Sequence, residues 1–176
     1  MNASALERST RAGFTLVETA VAISILALLA ASVLPSVVQA RMRANEVTAV
    51  ETLRTIYLEE LQLGLLPARD ADRDGKGEYG YLGGGVMNNL SEVHDGVLER
   101  GGYSFEVWLP DARGQGVTWD DARSGRKPDP NRAELYWYCY AWPKRPGFTG
   151  RSVYFINEDG EVLRRPARVS STEPAP

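Results

Sequence analysis

Apolar and polar positions divide this chain into stretches of different character. Residues Thr19 to Ala40 run for 22 positions without a charge, including AVAISILALLAASVL. As a helix this run spans about 33 Å, enough for a bilayer core of about 30 Å. From Arg41 to Leu63 the pattern changes. Val47, Val50, Leu53, Tyr57 and Leu61 recur at steps of three and four, while Glu51, Thr55, Glu59 and Gln62 do the same on another face. That spacing predicts an amphipathic helix with one side against a soluble domain, stopping at Gly64.

Residues 64–102 are glycine-rich and read as a connecting loop region, with a short helix over Met87 to Glu99 that contains His94. Beyond it the period falls to two. Tyr103–Leu109 alternates and ends at Pro110, Glu134–Ala141 is dense in β-formers, and Arg151–Ile156, Asn157–Gly160 and Glu161–Arg165 read as strand, turn and strand. Residues 103–169 therefore predict a three- or four-stranded antiparallel sheet packed on the amphipathic helix, and 170–176 a disordered tail. The fold class is α+β: one long N-terminal helix, half apolar and half amphipathic, on a small C-terminal sheet.

Composition narrows the chemistry. The 176 residues make one small domain with an appendage, and 20 basic against 23 acidic side chains argue against a chain built to neutralise nucleic acid. One cysteine, Cys139, excludes an intrachain disulfide and the usual cysteine-based zinc sites. One histidine, His94, excludes two-histidine metal motifs and leaves little from which to build a catalytic triad. No catalytic constellation is present, and the reading is not an enzyme.

The junction before the apolar run carries the sharpest signal. A polar stretch with Arg8 and Arg11 leads into Gly13-Phe14-Thr15-Leu16-Val17-Glu18. A carboxylate at the edge of an apolar span is costly and needs a partner or water. GFTLVE, followed by a charge-free helix with Pro35, resembles the type IV prepilin signature shared by type IV pilins and type II secretion pseudopilins. The resemblance implies a leader at 1–13, cleavage by a prepilin peptidase after Gly13 and N-methylation of Phe14. It further implies a membrane and filament-core helix at 14–40, with 41–63 its amphipathic half. Glu18 and Pro35 then stand at the fifth and twenty-second mature positions. In the family the glutamate is thought to pair with the terminal amine of a neighbouring subunit and set register. LRTIYLEEL and DRDGKGEYGYL also resemble segments of pilin-like proteins.

This resemblance implies a pilin-like fold and a structural subunit. It would be held in the inner membrane as a single-pass protein by an assembly platform, then polymerised with pilin-like subunits into a periplasmic or extracellular filament. Alternatives on the same scaffold are a secretion pseudopilin and a minor tip subunit for adhesion or DNA uptake.

Three further features bear on ligands. Asp70, Asp72 and Asp74, followed by Gly75 and then Glu78, match the start of an EF-hand-type calcium loop, though Tyr81 stands where the bidentate glutamate belongs. Two readings stand, a polar turn with its acidic side chains in water and a Ca2+ site at Asp70, Asp72, Asp74 and Glu78. Arg123, Arg126, Lys127 and Arg132 lie in a loop interleaved with Asp120, Asp121 and Asp129, which favours a solvated loop over DNA contact. The four tryptophans, Trp108, Trp119, Trp137 and Trp142, read as core packing ahead of a binding platform.

Overall fold

A computed structural model describes residues 14–65, 70–83 and 93–167. The leader, the first part of the expected 87–99 helix and the C-terminal tail lie outside them. The chain divides into two compact units, the first ending at Val38 and the second beginning at Gln39.

In the first unit, helix α1 (Leu16–Leu65) begins and runs on through Pro35. Residues 14–38 are exposed throughout. The hydroxyls of Thr19, Ser24, Ser32 and Ser36 each donate to a carbonyl of their own helix. Bonding of this kind leaves few polar groups to be satisfied in hydrocarbon. The helix is long and apolar enough to cross a membrane.

In the second unit the C-terminal half of α1 packs on a sheet. Its buried stripe is Ala49, Leu53, Ile56, Glu60 and Leu63. The expected stripe is therefore turned by about one position: Leu53 is shared, Val50 and Tyr57 flank it, and Val47 is exposed. The stripe includes Glu60, a charged residue. It is fully buried because its Oε2 accepts the Gly80 N–H at 3.0 Å. The helix also runs through Gly64 and ends at Leu65, one turn position beyond the expected stop.

Among the described residues the sheet has seven strands: β1 (Val93–His94), β2 (Val97–Arg100), β3 (Tyr103–Pro110), β4 (Gly116–Val117), β5 (Tyr138–Pro143), β6 (Ser152–Asn157) and β7 (Leu163–Pro166). The order is β1-β2-β3-β5-β6-β7 with β4 on β3, all pairs antiparallel. The expectation of three or four strands was short by the small ones. Residues 93–99 form the β1–β2 hairpin, so the expected helix is corrected there. Asp95 and Gly96 both take positive φ, 49° and 77°, which closes a two-residue turn matched to strand twist.

Two short helices, α2 (Trp119–Ser124) and α3 (Pro130–Ala133), occupy the segment between strands that was expected to be a loop. Thr118 and Asp121 form a reciprocal capping box at the start of α2. Asp129 caps α3 with Pro130 just inside it, and β5 consequently starts at Tyr138 rather than Glu134.

Register fixes the two faces. Phe105 pairs with Ala141 and Ala141 with Tyr154; Val107 pairs with Cys139 and Cys139 with Ile156. These residues face α1 with Leu53, Ile56 and Trp137 and form the core. The alternate positions of the same strands, among them Glu106, Trp108, Tyr138, Tyr140, Trp142 and Phe155, form the outer face.

Candidate functional site

The head of α1 carries the residues that the sequence marks for processing and assembly. Phe14 is 81% exposed. Gly13 lies outside the described residues. Thr15 and Glu18 form a second reciprocal cap. The Glu18 N–H donates to Thr15 Oγ1 at 3.2 Å, while Glu18 Oε2 accepts from the Thr15 N–H at 3.0 Å and hydroxyl at 2.8 Å. This satisfies orphan amides at the helix start and places a negative charge at the positive end of the dipole. The Thr-x-x-Glu spacing of that cap stands in GFTLVE. Pro35 lies inside the same helix, where it removes one backbone donor.

The acidic loop is arranged differently from a simple row of ligands. Carboxylate oxygens of Asp70, Asp72 and Glu78 lie within 4.8 Å of one another, and so do those of Asp72, Asp74 and Glu134. Asp72 belongs to both groups. Glu134, 56 residues or more from the loop in sequence, had no local signal that could have found it. Asp70 accepts the amides of Asp74 and Gly75 at 3.0 and 2.9 Å, and Glu78 accepts that of Ala71 at 2.7 Å. The Lys76 ammonium bridges Asp74 Oδ2 at 2.8 Å and Glu134 Oε2 at 3.1 Å. Its hydrogen bond to Asp74, then that to Glu134, pushes its pKa up, and the same contact pulls Asp74 down.

Two of the four basic residues expected in a loop, Arg123 in α2 and Arg126 just after it, are paired with carboxylates. Arg123 pairs with Asp95 at 2.9 Å, and Arg126 reaches Asp111 at 3.1 Å and Asp121 at 3.7 Å. That arrangement gives no uninterrupted positive surface for a phosphate backbone. The tryptophans separate by face. Trp137 is buried in the core, where it stacks with Tyr57, and Trp119 meets Tyr81 edge-on. Trp108 and Trp142 belong to the outer face. Cys139 is fully buried, and burial pushes its thiol pKa well up.

Residues 8–34 match the prokaryotic N-terminal methylation motif, the signature of type IV pilin and pseudopilin precursors. The match covers the processing junction, the capped start of α1 and most of its apolar run. No curated protein and no solved structure matches the chain significantly.

Proposed function

We propose that this protein is a membrane-held precursor of a type IV pilus or pilus-like filament subunit. In this reading a prepilin peptidase cleaves after Gly13 and Phe14 is N-methylated. The mature chain, resting on an inner-membrane assembly platform, then polymerises through the apolar half of α1. The observation that carries the reading is the methylation motif at the head of a helix whose apolar side chains are all exposed from Leu16 to Leu34.

The chemistry supports it. Such side chains are favourable only in lipid or against other helices, and each large one removed from water contributes about 1.5–3 kcal/mol. Exchange of lipid for neighbouring helices is therefore a low-cost step that can be driven from outside. The Thr15 cap gives the Glu18 carboxylate local donors while the subunit waits in the membrane. A free amine on Phe14 of a neighbour offers a charged partner in the filament, which offsets the cost of burying the carboxylate. Catalysis in this scheme belongs to the peptidase and the assembly motor.

Intact mass and N-terminal fragmentation of the chain from its native membranes test the reading. The expected product begins at methylated Phe14. An intact Met1 start, in cells with an active prepilin peptidase, would instead leave a permanent membrane anchor and defeat the proposal.

Calcium at the 70–78 loop is a separate proposal. It is supported by the meeting of Glu134 with Asp72 and Asp74, since Glu134 is only 6% exposed and its Oε1 has no hydrogen-bond partner among the described residues. Oxygen-rich clusters of this kind suit a hard cation. Calcium should raise the melting temperature, chelator should reverse the rise, and Asp72→Ala should abolish it. A wild-type melting curve indifferent to both reagents retires the idea.

A further inference from the structure

The loop between β5 and β6, residues 144–151 with the sequence KRPGFTGR, is fastened to the first turns of α1 within the second unit. Asn45 Nδ2 donates to the Thr149 carbonyl at 2.9 Å, and Glu46 Oε1 accepts the Arg151 amide at 2.9 Å. The loop is also bonded to itself. The Phe148 and Thr149 amides donate to the Arg145 carbonyl, the Gly147 amide to the Gly150 carbonyl, and the Arg145 amide to Thr149 Oγ1, all at 2.8–3.0 Å. A loop held in this way keeps the Phe148 ring outside the core, where it is 72% exposed between Arg145 and Arg151.

Cations gather at the same end of the sheet. Arg41 and Arg43 precede Asn45 on α1. Arg100 ends β2, and the turn that follows lies against α1, since a Cβ at Gly101 would come within 3.0 Å of Thr48. The Lys144 amide donates to the Gly102 carbonyl at 3.0 Å, which ties this turn to the 144–151 loop. Arg165 of β7 pairs with Val153, next to the loop's last residue. Arg41, Arg43, Arg100, Arg145, Arg151 and Arg165 are all exposed, and none forms an ion pair among the described residues. Glu99 and Glu46 at this end are taken up by Lys144 and Arg164. A chain of net charge −3 thus carries one strongly positive end.

The charge-free run stops at Ala40, five residues before Asn45. Five residues reach about 7.5 Å as helix and at most about 17 Å fully extended. With the run in hydrocarbon, this end is kept at or just beyond the headgroup layer, which is about 5–8 Å deep on each side. We propose that the basic end of the second unit docks on anionic phospholipids, with Arg145 and Arg151 on headgroup phosphates and the Phe148 ring among the upper acyl carbons. Basic side chains beside a membrane span are drawn to anionic lipid, and an apolar ring among them adds an anchor. A dissolved phosphate would serve the arginines and leave the ring in water; a lipid surface serves both. The inference rests on the membrane-held reading above.

The full chain, one copy per lipid nanodisc, provides the test. The discs are phosphatidylcholine alone or phosphatidylcholine with phosphatidylglycerol, each with a trace of lipid bearing a nitroxide high on its acyl chain. Paramagnetic broadening of the Gly147, Phe148 and Thr149 amide resonances reports contact with lipid. It should be about threefold or more stronger in the anionic discs and fall back at about 0.5 M salt. The double variant Arg145→Gln/Arg151→Gln should lose that enhancement at an unchanged melting temperature, because both side chains are exposed. Phe148→Ser should weaken the broadening in the anionic discs. Three outcomes overturn the proposal: no broadening of the loop in either disc, equal broadening in both lipids and in the arginine variant, or loop shifts that arise only with two chains per disc, which would assign the loop to a neighbouring copy. In each of these the chain still co-elutes with the discs and the membrane-held reading survives. A chain that fails to enter discs of either lipid defeats both.

Discussion

Gly116 has no room for a side chain. A Cβ there would sit 1.8 Å from Tyr138 Oη and 2.6 Å from Trp108 Cε3, two rings that stack at 5.9 Å between centroids. Gly116→Ala should therefore destabilise the domain by about 1–3 kcal/mol through overpacking, read as a lower melting temperature. Asp111 shows the opposite kind of constraint, a side chain surrounded by donors. Its carboxylate accepts the amides of Gln115 and Arg113 at 2.8 and 2.9 Å and the Arg126 guanidinium at 3.1 Å. The Gln115 amide first, with help from Arg126 and Arg113, holds its pKa below the usual carboxylate value. A folded-state value below the unfolded one contributes stability above the unfolded pKa and loses it as pH falls through the folded one. Asp111→Asn should melt below wild type near neutral pH, and the gap should close as the buffer is taken down through the carboxylate range.

Among elements, α1 and the sheet share one buried core. Leu53 is fully buried at its centre, and Leu53→Ala should cost about 2–5 kcal/mol by denaturant melting. Polar clamps supplement that packing: Asn45 Nδ2 donates to the Thr149 carbonyl at 2.9 Å, and Glu46 Oε1 accepts the Arg151 amide at 2.9 Å. How much of this was legible follows from how local each signal is. The long helix, β3 and the β6–β7 hairpin announce themselves through uninterrupted runs and a turn ending in Gly160. The β1–β2 hairpin falls where the sequence reads as part of a helix: Asp95-Gly96 is a turn signal, but the strands flanking it are too short to show a period. The exact buried stripe of α1 was not legible, because it includes a charged residue, Glu60, whose carboxylate meets the Gly80 amide 20 residues away. In the same way GFTLVE spelled out the processing junction, whereas the meeting of Glu134 with the acidic loop depends on chain segments far apart in sequence. Short-range patterns specify elements; side chains that meet across them are set by tertiary packing.

For the molecule as a whole, the proposed function has membrane residence and assembly place different demands on the same N-terminal unit. Glu18→Ala removes a carboxylate and its Thr15 contacts but leaves the apolar run intact. Membrane insertion should therefore persist while filament formation falls sharply, as judged by fractionation and by imaging of sheared cell-surface material. Normal filaments from that variant would remove Glu18 from the mechanism. The second unit offers a way to follow its own integrity through the same passage. Cys139 is the chain's one thiol, and β5 keeps it wholly enclosed against α1. A thiol reagent can reach it only when the core opens, so each alkylated chain is a record of one opening event. Leu53→Ala should accelerate the labelling. Comparing its rate in membrane-held and assembled subunits makes this sulfur a built-in clock for whether polymerisation tightens the domain or leaves it as it was.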